Sequence, residues 1–422
     1  MFPFMEIARA IATFLPDMLF NPVSPRFFLF WLFALVVSFQ YARIAENERR
    51  VYGQVRNPAF TQTVHALIQG ILAGTVGSFL LVFIGVTFTP EANLGYLILL
   101  AVLLMLVSPR FVCLAYAGGL VSLSHLAFGF PTVNVAALMA LVAILHLMES
   151  GLIRLSGARS ATPLFIRNRN RQVVGGFSLQ KFWPVPLVVL FLLSVPREIL
   201  EQGIQMPDWW PLIPVAASYL EEPNVIFQML PVVAIMGYGD VAISSSPRTR
   251  TRRTAGHLCL YSLGLLALAL LGGRVPAFLW AAALFSPLGH ELVIQRSGKR
   301  ELSGLPLVSA GDRGVTILDV LPDSPAGRAG LATGDLVLAI SGLPVHSRRE
   351  VRAAMEAHPH NIELLIERVG GQTMVLALAR PQEHLPFGII LAPEPGDPAH
   401  VEIGQAGMLL SIIRKLRHRF GR

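Results

Sequence analysis

A series of long apolar segments, separated by short polar loops, occupies most of the first 290 residues. The segments are residues 27–44, 65–88, 94–107, 111–128, 133–148, 183–195, 225–243, 257–271 and 275–288. Hydrophobic residues make up 53% of the chain and charged residues only 14%, which is too apolar for an ordinary soluble protein. Several segments are shorter than the about 20 residues that cross a bilayer comfortably. The sequence therefore predicts a polytopic α-helical membrane domain over residues 27–290, with about eight or nine spans.

Basic side chains are concentrated in the loops between these segments. Residues 154–181 contain arginines and a lysine but no acidic residue, and residues 248–253 are similarly rich in arginine. The positive-inside rule assigns such loops to the cytoplasm. It also accounts for the net charge of +8, so the sequence does not indicate nucleic acid as a partner. The same alternation predicts that everything after residue 290 is cytoplasmic.

The two ends of the chain differ from the spans. Residues 1–26 are apolar but interrupted by Pro16 and Asp17, which favours an interfacial or re-entrant segment, with a short true span as the alternative. Residues 393–422 read as a proline-rich linker followed by a basic amphipathic helix. We predict that this helix lies on the anionic inner leaflet of the membrane lipids, the alternative being packing against the protein's own loops or a partner helix. The basic residues predicted at the membrane surface are Arg414, Lys415, Arg417 and Arg419.

Residues 300–392 have the pattern of a small α+β domain. A β-rich run from Gly314 to Val320 is followed by the tract SPAGRAGLATGDLVLAISGLPV, in which turn residues separate a short helix from a buried strand. Ser347 then stands at a helix N-cap, with Glu350 at the capping-box position. This pattern is strongly diagnostic of PDZ peptide-binding domains.

The carboxylate-binding loop of this domain stands at its end rather than at its beginning. The tract HLPFGII at residues 384–390 has the required form, with a glycine followed by the start of a strand. The order therefore looks circularly permuted and resembles the bacterial PDZ arrangement of site-2 proteases. The predicted peptide-binding residues are Leu385, Pro386, Phe387, Gly388, Ile389 and Ile390, together with Val351 and Met355 of the helix. The alternative is that residues 386–390 merely close the sheet.

Motifs for membrane-embedded catalysis are incomplete. His290-Glu291 begins a zinc-protease motif, but Ile294 occupies the position of the second histidine. The tract from Gly237 to Asp240 matches the Gly-x-Gly-Asp motif of intramembrane aspartyl proteases, yet no second aspartate lies in a facing span. Asp240 is better interpreted as a boundary residue paired with nearby arginines. We therefore predict a non-enzymatic protein with no catalytic residues, no metal ligands and no cofactor.

Isolated polar groups within the apolar segments have similarly modest interpretations. Cys113 and Cys259 lie inside apolar runs, which supports neither a disulfide nor a cysteine-based metal site. His146 and Glu149 are one helical turn apart. Packed or interfacial polar residues are the preferred interpretation, and an ion site or a proton path is the alternative.

Three further tracts carry a family resemblance over most of the chain. They are Asn21-Pro22 before a first span that ends in YARIAENERR, GYGDVAISSSP before a basic loop, and FSPLGHELVIQRSGKRE before the PDZ domain. With the span pattern, they resemble the MinJ-like PDZ membrane proteins of Gram-positive, spore-forming bacteria. The resemblance implies a scaffold or adaptor in cell-division site placement, located in the cell membrane at the septum or poles. The implied partners are a DivIVA-like polar scaffold and the MinC/MinD inhibitor of the FtsZ ring.

The competing interpretation from the sequence is a PDZ-gated intramembrane protease, or a regulatory subunit of a membrane protease. It depends on the likeness of the PDZ arrangement to that of site-2 proteases, and on the Gly-x-Gly-Asp tract that ends at Asp240.

Overall fold

The computed structural model describes residues 3–52, 55–89, 92, 94–168, 172–194, 204–215, 224–309, 311, 313–379, 386–398 and 401–402. The helices of the first part are α1 (Phe4–Phe20), α2 (Pro25–Tyr52), α3 (Ala59–Ile84), α4 (Gly95–Val107), α5 (Leu114–Phe128), α6 (Val135–Ser156), α7 (Pro247–Gly272) and α8 (Ala277–Ser303). Its strands are β1 (Thr87–Phe88), β2 (Thr162–Arg167), β3 (Val173–Ser194) and β4 (Val225–Ala242).

Five of these helices are long and apolar enough to cross a membrane. They are α2, α3, α6, α7 and α8, and the shorter α4 and α5 are also apolar. Helix α6 is the most enclosed, and its side chains form the centre of the main hydrophobic cluster. The structure thus confirms a multi-helix apolar domain followed by a sheet-containing C-terminal domain.

Two of the predicted spans are strands rather than helices. Residues 183–195 fall largely within β3, and residues 225–243 largely within β4. Strand β4 pairs antiparallel with residues 177–194 of β3, from Phe177↔Ala242 to Ser194↔Val225. The prediction of helical spans was wrong at both places. Hydropathy alone cannot distinguish an apolar strand from a short apolar helix.

Prolines explain why β3 is extended. Pro184 and Pro186 would break a helix, and in a sheet they are tolerated only where a strand lacks a partner on the N–H side. On the edge of β3 away from β4, β2 pairs with residues 173–178 and β1 with residues 190–191. The two prolines lie in the interval between them, where helix α3 takes the place of a strand.

Side chains from neighbouring helices complete the hydrogen bonding of this edge. The Tyr41 hydroxyl donates to the Phe182 carbonyl (2.9 Å) and accepts from the Phe182 N–H (3.1 Å). The Val188 N–H donates to Ser78 Oγ (2.8 Å), and Ser78 in turn donates to the Gly74 carbonyl (2.6 Å). At the alternate positions between 182 and 188, the prolines have no N–H that would need a partner.

The glycines of α3 allow this contact. A Cβ atom at Gly70 would overlap the carbonyl oxygen of Pro184, and one at Gly74 would overlap that of Pro186. The helix backbone therefore packs directly on the strand backbone. Small residues in membrane helices usually allow two helices to pack closely. At Gly70 and Gly74 the closely packed partner is a strand instead.

The C-terminal domain consists of a six-stranded sheet and two helices. Its elements are β5 (Val315–Val320), α9 (Pro325–Arg328), β6 (Leu336–Ile340), β7 (Leu343–Pro344), α10 (Arg348–Ala357), β8 (Asn361–Glu367), β9 (Thr373–Ala379) and β10 (Ile389–Leu391). The strand order is β10-β5-β6-β8-β9, with β7 paired to β6. A separate hydrophobic cluster forms its core.

This domain is packed against the membrane-type helices and their sheet. The Gly175 N–H donates to the Val308 carbonyl (3.0 Å), and Val308, Leu318 and Ala392 belong to the main cluster of the first part. Strand β11 (Val401–Glu402), which follows the domain, pairs with β2. The domain is thus fixed to the β2–β3 sheet on both its N-terminal and C-terminal sides.

A charged contact reinforces this packing. Arg56, in the loop after α2, forms an ion pair with Asp319 of β5. Burial raises the pKa of Asp319 above its usual value, and the Arg56 guanidinium opposes that increase.

Candidate peptide-binding groove

Strand β10 presents an open backbone edge. It pairs with β5 on one side, and within the described ranges no strand pairs with its other side. Ile389 faces Val320, and the Leu321 N–H donates to the Gly388 carbonyl (2.9 Å). This pattern makes Ile389 and Val320 a non-hydrogen-bonded pair, so the N–H and C=O of Ile389 point to the open edge. An added strand would find both groups there.

Gly388 shapes the turn that precedes this edge. Its φ is +81°, and a Cβ atom at this position would overlap Ser324, so only glycine fits. The Ala326 N–H donates to the Phe387 carbonyl (3.0 Å). Because C=O and N–H of one trans peptide point in opposite directions, the N–H groups of Gly388 and Ile389 both point away from the segment 321–326. Two successive N–H groups directed this way form a cradle suited to a carboxylate.

Helix α10 is the predicted facing wall, and its side chains share a hydrophobic cluster with β10. The Glu350 N–H donates to the Ser347 Oγ (3.2 Å), and the His346 N–H donates to Glu350 Oε2 (2.7 Å), so the predicted capping box is present. The hydrogen bond from His346 holds the pKa of Glu350 below its usual value. Val351 is buried and Met355 half-buried.

The side chains expected to line the groove separate into two groups. Phe387 and Ile389 pack in the same cluster as Val351 and Met355, between strand and helix. Ile390 instead packs against the main cluster of the helical part, because successive side chains of a strand point to opposite faces. Pro386 is exposed. Leu385, Arg414, Lys415, Arg417 and Arg419 lie outside the described residues.

One end of the groove is joined to neighbouring segments. The Arg348 N–H, at the start of α10, donates to Glu394, and the Arg348 guanidinium binds Asp397. The same guanidinium lies 5.3 Å from the centre of the Phe165 ring on β2. Sequence reasoning assigned Glu394 and Asp397 only to a linker, since nothing in their spacing indicates this partner.

Asp240 lies in a buried polar network, as expected for a residue paired with arginine. Arg250 donates from Nη2 to Asp240 Oδ1 (2.7 Å) and from Nη1 to the Ser297 carbonyl (2.8 Å). Glu301 accepts hydrogen bonds from the N–H groups of Ile243, Ser244 and Ser245 (2.7–2.9 Å) and lies 3.9 Å from Arg250. The guanidinium contacts both carboxylates, whereas an aspartyl protease requires two that share a proton.

The neighbouring residues His290 and Glu291 contact different partners. Glu291 accepts from the Tyr116 hydroxyl (2.6 Å) and pairs with Arg110 (3.2 Å). His290 turns inward and meets Cys113 and His146, which come from other parts of the chain. The spacing of these residues in the sequence gave no sign of this convergence.

The family model of the PDZ domain matches residues 316–368, which include β5 to β8 and the helix α10. Fold and groove thus define the class: an apolar, multi-helix protein that carries a PDZ domain at its C-terminal end.

Similarity over nearly the whole chain relates this protein to a narrower group than the PDZ domain does. The chain is 24% identical over 403 residues to the "Cell division topological determinant MinJ" of Bacillus subtilis, covering 89% of this chain and 95% of that protein. It is 25% identical over 393 residues to the "Probable cell division topological determinant MinJ" of Lacticaseibacillus paracasei, covering 89% and 98%. These relatives confirm the resemblance to the MinJ-like proteins. A partial match also exists to the "Putative serine protease HhoB" of Synechocystis, 36% identical over 77 residues, or 18% of each chain.

Proposed function

We propose that this protein is a membrane-embedded scaffold that recruits protein partners through its PDZ groove to place the cell-division site. The observation that carries the proposal is the open edge at Ile389, next to helix α10, in a domain that is packed against the apolar helices. Such an edge accepts a peptide as an added strand. Similarity to the MinJ relatives over 89% of the chain supports the division role.

The arrangement in the cell follows from the same proposal. The protein is a multi-pass protein of the cell membrane, concentrated at the septum or poles, with its PDZ domain in the cytoplasm. The five long helices cross the bilayer. To reach the predicted eight or nine spans, the shorter helices α1, α4 and α5 would also have to cross it. The PDZ domain is circularly permuted, with the groove strand β10 as the last strand of the domain.

Partners are proposed by class and by resemblance. The groove takes an extended or C-terminal peptide, whose carboxylate binds the N–H groups of Gly388 and Ile389. The resemblance suggests a DivIVA-like polar scaffold and the MinC/MinD system as the proteins that supply it. The basic side chains of the tail, from Arg414 to Arg419, are proposed to hold the C-terminus on anionic lipids.

The second candidate is a PDZ-gated intramembrane protease or a subunit that regulates one. The partial likeness to HhoB favours it. The ion pair between Asp240 and Arg250 is an argument against it, because that carboxylate is committed to a cation. If Asp240→Ala abolishes a proteolytic product while the protein stays folded, the enzyme interpretation replaces the scaffold.

A matched pair of variants at Ile389 tests the scaffold in the native cell. Ile389→Pro removes the N–H that points to the open edge and leaves the ladder to β5 intact, whereas Ile389→Ala shortens the side chain but keeps the N–H. We expect Ile389→Pro to reach the membrane normally and to misplace septa as a deletion does. Ile389→Ala should place them nearly as wild type. Normal septa with Ile389→Pro would contradict the proposal.

A further inference from the structure

Three side chains with metal-binding atoms meet between helices α5, α6 and α8. They are Cys113, which caps the N-terminus of α5, His146 in the middle of α6, and His290 in α8. One ligand atom from each lies within 4.8 Å of the others. We propose that these residues bind a d10 transition-metal ion, Zn²⁺ or Cu⁺.

The ring of His146 is oriented as metal-binding histidines usually are. Its Nδ1 lies 2.7 Å from the Val142 carbonyl, which can only accept, so Nδ1 carries the hydrogen. The lone pair is then on Nε2, and Nε2 lies 3.0 Å from Cys113 Sγ. A histidine that donates one ring N–H to a carbonyl and presents the other nitrogen to a thiol has the outer-shell support of a metal ligand.

His290 provides an independent observation. Its Nε2 lies 3.7 Å from Cys113 Sγ, and the residue is 9% exposed. Its Nδ1 is buried and has no hydrogen-bond partner among the described residues. A buried polar atom without a partner is unfavourable and calls for an explanation. A ring that no hydrogen bond holds at Nδ1 can also rotate to bring a nitrogen to a cation.

The distances are close to those of a coordinated ion. With Zn–S of about 2.3 Å and Zn–N of about 2.0–2.1 Å, tetrahedral geometry separates sulfur from nitrogen by about 3.5 Å. The observed 3.0 and 3.7 Å bracket this separation. Without an ion, the thiol can donate to His146 Nε2 and accept from His290 Nε2–H, whereas one cation binds the thiolate and both nitrogens together.

The surroundings favour a soft ion. Tyr116 and Tyr261 pack against the His290 ring at 5.3 and 5.6 Å between ring centres. Their hydroxyls are engaged elsewhere, by Glu291 and by the Ser286 carbonyl. One thiolate and two imidazoles select zinc or copper(I) rather than magnesium or calcium. The ion would tie three helices together, including α8, which leads into the PDZ domain.

Metal analysis of the purified full-length protein tests this site. The protein is isolated in detergent without a histidine tag, incubated with Zn²⁺, dialysed and measured by elemental mass spectrometry. We expect about one zinc per chain, and at least about tenfold less in Cys113→Ser and in His146→Ala. Cys259→Ser, which changes the cysteine of α7 outside the cluster, should retain the metal. Copper in place of zinc, with the same dependence on Cys113, would support the site and identify the ion.

A spectroscopic measurement keeps the test independent of variants that fold poorly. Substitution of Co²⁺ into the wild-type protein should produce a thiolate-to-cobalt charge-transfer band. Absence of zinc, copper and this band in the folded wild type would overturn the proposal and leave a hydrogen-bonded cluster. Metal that persists in Cys113→Ser would overturn the assignment of these ligands.

Discussion

Replacing Gly74 with leucine is expected to leave little folded protein in the membrane. A side chain at this position would overlap the carbonyl oxygen of Pro186, and the neighbouring Ser78 makes the hydrogen bond that holds Val188 in place. Adding side-chain volume to a well-packed core costs about 1–3 kcal/mol and occasionally more. Here the obstacle is backbone, which cannot rotate away, so the loss should reach or exceed the upper end of that range.

The matched control is Gly151→Leu in α6, another apolar helix. Nothing lies within 4 Å of a Cβ atom built at Gly151. Both variants are compared by size-exclusion chromatography of detergent extracts and by resistance to protease. Gly151→Leu should resemble wild type, while Gly74→Leu should aggregate or disappear. Equal yield and equal protease resistance of the two would show that α3 does not pack on β3 as described.

Glu301→Ala should lower the thermal stability of the helical part strongly. Glu301 is 2% exposed and accepts from three successive N–H groups after β4, while Arg250 beside it is 5% exposed. The substitution leaves these donors without a partner and a buried guanidinium with one carboxylate instead of two. Removing one member of a buried charged network typically costs about 3–5 kcal/mol.

Two further variants show where this effect comes from. Glu301→Gln keeps an acceptor oxygen, so it should lower the melting temperature less than Glu301→Ala does. Glu46→Ala breaks an exposed pair with Arg50 on α2 (3.0 Å), which is worth about 0.5 kcal/mol or less. Melting curves of the purified variants give their order of thermal stability. If Glu301→Ala and Glu46→Ala had the same melting temperature, the buried network would not stabilise the protein.

The C-terminal domain could be predicted well because its signals are local. Turn residues, the capping box of Ser347 and Glu350, and the glycine at 388 each specify the backbone within a few residues. The structure reproduces the strands and the wall helix that these signals predict. The outward turn of Ile390 follows from strand alternation, but it depends on the packing of the domain against the helices.

The hairpin of β3 and β4 could be predicted less well. Its apolar runs have the hydropathy of spans, and Pro184, Pro186 and Pro231 were the signals against helices. Prolines are also unusual within strands, so they could not identify the alternative. What makes them acceptable is the glycine face of α3, more than a hundred residues earlier in the chain, and such a partner is not visible locally.

The convergence of Cys113, His146 and His290 could not be predicted for a related reason. Sequence spacing reveals metal sites when ligands stand one turn apart on one helix, as in the zinc-protease motif. Here Cys113 precedes α5 while the two histidines come from α6 and α8. Ile294 excluded the one-helix motif without excluding this arrangement.

Groove-dependent recruitment is tested most directly by proximity labelling in the native cell. A labelling enzyme fused to the full-length protein is compared in wild type, Ile389→Ala and Ile389→Pro, with equal amounts of each in the membrane. We predict that division proteins are labelled in the first two and lost with Ile389→Pro, which removes the outward N–H of β10. Identical labelling of division proteins in all three, or recovery of a membrane protease with its substrate instead, would contradict the scaffold function.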